Sequence, residues 1–279
     1  MNKFANTPSI KLIALDLDGT IVQENLQISR RVQDVIHHVQ RQTDVRVVIA
    51  TGRMFYSALP FARTLKTPLP IVAYQGAMIR EQDAPQTVHL HTPVNLDIAR
   101  ELTEILLHDN YHVNLYMNDR VWTRRSNVFS EFYARTSGVS PVFRDNLLAC
   151  LTEAPTKIMV IDDERIEHLL GYLDAHYAGR LSFCRSRSNF CEIIDVSVSK
   201  WNALQVLAQS WGIQPSEIMA IGDQSNDLSM ISQAGLGVAM GNAPDHVKKA
   251  ARFVTGSIEE DGVASAIEQF VLDRSLQEA

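Results

Sequence analysis

The chain predicts an α/β fold, a wound parallel sheet interrupted by an α+β insert, and three observations support that expectation. Near-continuous apolar runs recur at Leu12-Ile13-Ala14-Leu15, Val45-Arg46-Val47-Val48-Ile49-Ala50 and Ile218-Met219-Ala220-Ile221. Runs that do not alternate with polar residues read as strands buried on both faces, the habit of parallel sheets. Helical periodicity separates them, and each run ends in residues able to do chemistry: Asp16-Leu17-Asp18-Gly19, Thr51-Gly52-Arg53 and Gly222-Asp223.

The elements follow in order. After the first strand, Ser29 is placed to cap a helix in which Val32, Val35, Ile36 and Val39 share one face. The second strand, Val45 to Ala50, comes next, then a third at Ile71-Val72-Ala73-Tyr74, ending in Gln75-Gly76. A βαβαβ order of this kind winds right-handed in one parallel sheet. The texture changes at Gln82-Asp83-Ala84-Pro85, a turn-rich break followed by the alternating Thr87-Val88-His89-Leu90-His91. A helical stripe (Leu96, Ala99, Leu102, Ile105, Leu106), strands at Tyr111 to Met117, Val121 to Thr123 and Lys157 to Ile161, and a helix carrying Ile166, Leu169, Leu170 and Leu173 complete this stretch. Alternating strands beside amphipathic helices predict an antiparallel sheet covered on one face. Ile218 to Asp223 and Leu236 to Met240 then return to the first texture. The expected architecture is a Rossmann-like core formed by residues 1–82 and 196–279, with an inserted α+β domain at 83–195.

Composition narrows the possible functions. The 279 residues, 46% of them hydrophobic, can bury one large core or two smaller ones. A net charge of −6, from 32 acidic and 26 basic residues, exerts no general pull toward nucleic acid or anionic lipid. No stretch approaches the roughly 18 consecutive apolar residues of a membrane span. The start, Met1-Asn2-Lys3-Phe4-Ala5-Asn6, lacks the apolar stretch of a secretory signal. Cys150, Cys184 and Cys191 form no CxxC pair. These features predict a soluble cytoplasmic protein without a nucleic-acid or membrane partner, and they specify no oligomeric state.

In a parallel sheet the strand ends share one edge, where open α/β sheets bind ligands. Asp16 and Asp18, Thr51-Gly52, Lys200, and Gly222-Asp223 with Asn226 and Asp227 would therefore converge. Ionised carboxylates at buried strand ends need a partner, which is usually a cation, a phosphate-bearing ligand or both. Mg²⁺ favours oxygen ligands and takes one or two carboxylates, while lysine and backbone amides suit phosphate oxygens. The inventory matches Mg²⁺-assisted phosphoryl transfer, in which positioning and charge neutralisation do nearly all the work.

Asp16-Leu17-Asp18-Gly19-Thr20, Thr51-Gly52-Arg53, Lys200 and Gly222-Asp223-Gln224-Ser225-Asn226-Asp227 resemble, in order, the four motifs of the haloacid dehalogenase superfamily. The tail Ala234-Gly235-Leu236-Gly237-Val238-Ala239-Met240-Gly241-Asn242-Ala243, with Lys248, Thr255 and Glu260-Asp261-Gly262-Val263, is similar to its Cof-type phosphatase branch, whose type IIB (C2) cap lies between the second and third motifs. The resemblance implies that Asp16 is a nucleophile forming an aspartyl-phosphate and that Asp18 is the general acid and base. It implies Mg²⁺ held by Asp16, the Asp18 carbonyl, Asp223 and Asp227. The phosphate of a small phosphorylated metabolite would be gripped by the Leu17 amide, Thr51, Gly52, Lys200 and Asn226. Trp201 stands where the family usually has glycine, with the expectation that it crowds the Lys200 loop. Gln75 replaces a common asparagine, and Ser257-Ile258 replaces a usual Ser-Asn.

Other readings of the same residues are weaker. A calcium loop at Asp16 would need glycine at its sixth position, where Ile21 stands. Asp162-Asp163 mimics the first motif but lacks its continuation, so it reads as a turn or cap. His89, His91, His108 and His112 have no tight acidic partners for a metal, and Arg53 suits an ion pair as well as a substrate contact. Two alternatives stay open: a phosphotransferase or sugar-phosphate mutase, and a catalytically silent metabolite-sensing module.

Overall fold

Alternate residues of the first strand are buried in opposite directions, and that two-sided burial organises the molecule. The computed structural model describes residues 9–84 and 86–273, so the amino-terminal segment and Pro85 discussed above lie outside the described residues. In chain order the elements are β1 (Leu12–Leu15), α1 (Arg30–Gln42), β2 (Arg46–Ile49), α2 (Phe55–Thr64), β3 (Ile71–Ala73), β4 (Met78–Arg80) and β5 (Val88–His91). Then come α3 (Leu96–His108), β6 (His112–Met117), β7 (Arg120–Thr123), α4 (Val128–Ser137), β8 (Val142–Phe143), β9 (Lys157–Ile161), α5 (Ile166–Tyr177), β10 (Leu181–Arg187) and β11 (Phe190–Asp195). The chain closes with α6 (Lys200–Ser210), β12 (Ile218–Gly222), α7 (Leu228–Gln233), β13 (Leu236–Ala239), α8 (Asp245–Ala250), β14 (Phe253–Val254) and α9 (Gly262–Ile267).

Five strands form a parallel sheet in the order β14-β13-β12-β1-β2. Ile13 and Leu15 pack with α1 and α9 on one face, while Leu12 and Ala14 pack with α6 and α7 on the other. Ser29 caps α1 as expected, its hydroxyl accepting from the Val32 amide at 3.2 Å. The chain winds outward from β1 to β2 and later returns to lay β12 on the other side of β1. That reversal opens a crevice at the carboxyl ends of β1 and β12.

The third expected core strand is only loosely part of this sheet. β3 touches β2's end through one parallel bridge, Ala50 to Val72, and then turns back as the antiparallel meander β3-β4-β5. Tyr74 and Gln75, both left-handed at φ 54° and 62°, make the reversal. By hydrogen bonding, β5 therefore belongs with β3 and β4, and the next sheet begins at β6. That sheet has six strands in the order β10-β11-β9-β6-β7-β8, largely antiparallel. One face buries Val113, Leu115, Ile158, Val160, Cys191 and Ile193 with α3 and α5, as the alternation predicts. The other face, with Tyr116, Met159 and Phe190, packs toward the core sheet's helices. The cysteines are free, and among the described residues no helix is long and apolar enough to cross a membrane.

Candidate active site

The sharp turn after β1 exists because three successive amides, of Thr20, Ile21 and Val22, all donate to the Leu17 carbonyl. Gly19 sits in this turn at φ +83°, and an added Cβ would lie 2.4 Å from an Asp223 oxygen. Asn242, from the tail resembling the Cof branch, ties the turn down by donating to the Gly19 carbonyl (2.9 Å) while accepting from the Ile258 amide (3.0 Å). Leu17 itself points into the core and is fully buried.

Asp16, Asp223 and Asp227 are buried with carboxylate oxygens all within 4.8 Å of one another. Lys200, at the first turn of α6, reaches between two of them. Its Nζ lies 2.5 Å from Asp16 Oδ1 and 2.6 Å from Asp227 Oδ1. Asp227 is anchored further, its Oδ2 accepting the amides of Asp223 and Gln224, each at 3.0 Å. Asp223 accepts from the Thr20 hydroxyl (3.0 Å) and the Gln224 amide group (3.1 Å). Burial lifts the Asp16 carboxyl well above its ordinary range, with Lys200 opposing that shift. Burial, then Asp227, lifts Asp223 to about 6. Lys200 is held above its usual range: burial alone would lower it, but Asp16 and Asp227 outweigh that. Three buried carboxylates thus face a single ammonium. That surplus of negative charge on hard oxygen donors fits a divalent cation of the Mg²⁺ type, for which Asp16, Asp223 and Asp227 are the available side chains.

A cavity of about 150 Å³ opens in front of this cluster. Asp16, Asp18, Thr51, Gly52 and Asn226 line it, whereas Lys200, Asp223 and Asp227 are not part of its lining. Asp18 is half-exposed and gripped at both oxygens by Arg53, at 2.7 and 2.6 Å. Thr51 is buried, its hydroxyl accepting from the Arg53 amide at 3.1 Å. The Asn226 side chain donates to Gln75 Oε1 at 2.9 Å.

Trp201 does not crowd the Lys200 loop. Its ring is buried with Leu12, Ala14, Val48 and Ala220 on the α6 side of the sheet, pointing away from the cavity, because helical periodicity turns adjacent residues to different faces. Asp162 behaves as a turn residue, accepting from the amides of Glu164 and Arg165 and from the Arg165 guanidinium. Each of the four histidines has a polar partner: Glu81 for His89, Thr156 for His91, Asp109 for His108 and Asn127 for His112.

The cavity's far wall was missed in the sequence. It comprises Tyr116, Tyr133, Lys157, Met159, Phe190 and Glu192, with Gln75 beside them. Its signal was present: Lys157 and Glu192 are charges on strands whose other same-face residues, Met159 with Ile161 and Phe190 with Ile194, are apolar. A charge at such a position either fails to fold or has a partner.

The pattern of the haloacid dehalogenase-like hydrolases matches residues 13–267, and the chain belongs to that family. It is therefore a hydrolase of the haloacid dehalogenase class. Among its relatives is the 5-amino-6-(5-phospho-D-ribitylamino)uracil phosphatase YitU of Bacillus subtilis, 31% identical over 93% of this chain and 97% of that protein. A crystal structure of a haloacid dehalogenase-like hydrolase from Bacteroides thetaiotaomicron is 31% identical, with a TM-score of 0.85 over 94% of this chain and 99% of that one. The fold is shared with the subclass IIB sugar phosphatase BT4131, 20% identical at a TM-score of 0.81 over 94% of this chain and 98% of that one.

Proposed function

We propose that this hydrolase is a Mg²⁺-dependent phosphatase of small phosphorylated metabolites, sugar phosphates among them, working through an aspartyl-phosphate at Asp16. The observation that carries the reading is the buried Asp16–Lys200–Asp227–Asp223 cluster opening into a cavity lined by Asp16, Asp18, Thr51 and Asn226. The relative YitU, named for a phosphate ester of a ribityl chain, supports the substrate class. Bound Mg²⁺ would supply charge neutralisation for the incoming phosphate.

In the first step an Asp16 carboxylate oxygen bonds to phosphorus and the bond from phosphorus to the ester oxygen breaks. Asp18 delivers its proton to the departing alkoxide, leaving as the free alcohol. Asp18 then takes a proton from water as the water oxygen attacks phosphorus, which frees inorganic phosphate and restores the Asp16 carboxylate. Arg53 holds both Asp18 oxygens in the resting site, so one of the two contacts opens when Asp18 carries the proton while the other keeps it oriented, and Ser57 braces Arg53 from 3.2 Å. Lys200, expected among the phosphate ligands, is taken up by Asp16 and Asp227 outside the cavity lining and keeps Asp16 aligned, while the Leu17 amide, Thr51, Gly52 and Asn226 hold the phosphate oxygens. Residues 83–195 serve as the cap that excludes water and contacts the leaving group. Free cysteines and such substrates suit a cytoplasmic enzyme.

Replacing Asp16 by Asn keeps the shape and removes the attacking charge. Phosphate release from a panel of phosphorylated metabolites, with and without Mg²⁺, should fall by several orders of magnitude in the folded variant. Near-normal release would refute the aspartyl-phosphate route.

A further inference from the structure

The cavity wall opposite Asp16 holds two buried charges that the chemistry above does not use. Lys157 and Glu192 are 2% and 5% exposed, and Lys157 Nζ lies 3.0 Å from Glu192 Oε2. Lys157 also donates to the Gly52 carbonyl at 3.0 Å and stands 4.7 Å from the Tyr116 ring centre. Glu192 Oε2 accepts a second bond from Gln75 Nε2 at 3.3 Å, while Oε1 accepts none among the described residues. A buried ion pair is costly to desolvate and adds little stability over apolar packing, so its presence in a binding cavity points to recognition.

Among the described side chains, the pairing leaves the cavity without a spare cation. Arg53 is committed to both oxygens of Asp18, Lys157 to Glu192, and Lys200 to Asp16 and Asp227. A ligand bearing a second phosphate or a carboxylate would set that charge against Glu192 with no uncommitted cation among the described side chains to neutralise it, and like charges in contact at low dielectric cost several-fold to many-fold in affinity. A hydroxyl instead finds an acceptor at Glu192 Oε1, and its carbon chain finds Tyr116, Met159 and Phe190. Resting on the phosphatase reading for its ligands, the geometry points to Lys157 and Glu192 as the charge filter of the substrate pocket. They admit phosphate esters of uncharged polyols and reject esters that carry a second anionic group.

The test reads binding, so turnover cannot confuse it. Asp16→Asn protein is titrated in Mg²⁺ with matched pairs of sugar phosphates, such as glucose 6-phosphate against 6-phosphogluconate and fructose 6-phosphate against fructose 1,6-bisphosphate. The member with a single anionic group should bind more tightly by about ten-fold or more. Adding Glu192→Gln, which uncovers Lys157, should close or invert the gap; adding Lys157→Met, which uncovers Glu192, should widen it. Opposite shifts cannot come from a merely structural role, which would weaken both members alike. Equal binding within pairs, or a gap that moves the same way in both variants, overturns the filter and leaves the phosphatase reading standing. Failure of every pair to bind overturns both.

Discussion

Lys200→Met is the most exacting test of how the site is held together. Methionine keeps the length and fills irregular space, so the change removes charge with little loss of packing. The side chain is fully buried, with Nζ at 2.5 and 2.6 Å from two carboxylates that are themselves buried. Withdrawing one partner from such a pair costs about 3–5 kcal/mol, because charge is left uncompensated in low dielectric. That is a large part of the roughly 5–15 kcal/mol that holds an ordinary domain together. The assay is urea unfolding in chelator at about pH 8, repeated in excess Mg²⁺ and at about pH 5. Mg²⁺ should recover much of the loss, since a cation on the same carboxylates replaces the missing ammonium. Acid should also recover part of it. The Asp16 carboxyl is already raised by burial, so the folded state binds more protons than the unfolded one, and stability falls as pH rises through the folded value. Removing Lys200 moves that value higher still. A loss below about 1 kcal/mol in chelator at pH 8, the scale of an exposed ion pair, would refute the reasoning.

Three other outcomes follow. Chelation should abolish phosphate release and Mg²⁺ restore it, whereas Ca²⁺ should bind yet support little turnover, because its longer, more numerous bonds disturb in-line geometry; full activity in a metal-free sample contradicts this. His112 is pushed down to about 4 by burial, so it folds neutral and the unfolded chain binds more protons between about pH 4 and 6.5. His112 alone should therefore cost up to roughly 3 kcal/mol as pH drops through that window, against the opposite contribution of the raised Asp16 and Asp223 carboxyls, and the difference between wild type and His112→Gln in pH-resolved denaturation should shrink by that amount as pH falls. Gly76→Ala should destabilise by about 1–3 kcal/mol and lower turnover more than substrate affinity. Gly76 has φ +103°, and its added Cβ would lie 2.2 Å from the Ser199 carbonyl, displacing the start of α6 that carries Lys200. Wild-type values in both assays would show that the helix start tolerates the push.

The sequence by itself determined the wound core, the covered antiparallel sheet and the convergence of Asp16, Asp223 and Asp227. Each depends on short-range regularities. Unalternating runs such as Leu12 to Leu15 must be buried on both faces, and a parallel sheet then brings its strand ends to one edge whatever their separation in the chain. Ser29 and Asp162 were legible for the same reason, since a cap and a turn are closed within three residues. Tertiary structure alone decided the rest. Trp201 reads as an intruder beside Lys200 until the helix turns it to the opposite face. β3 reads as a wound strand until left-handed Tyr74 and Gln75 send the chain back. Lys157 meets Glu192 only when β9 and β11 pair, and the Gly52 carbonyl only when their sheet faces the end of β2 across a cavity. Periodicity says which side of a strand a residue takes, but what waits there depends on long-range packing, which no local pattern encodes.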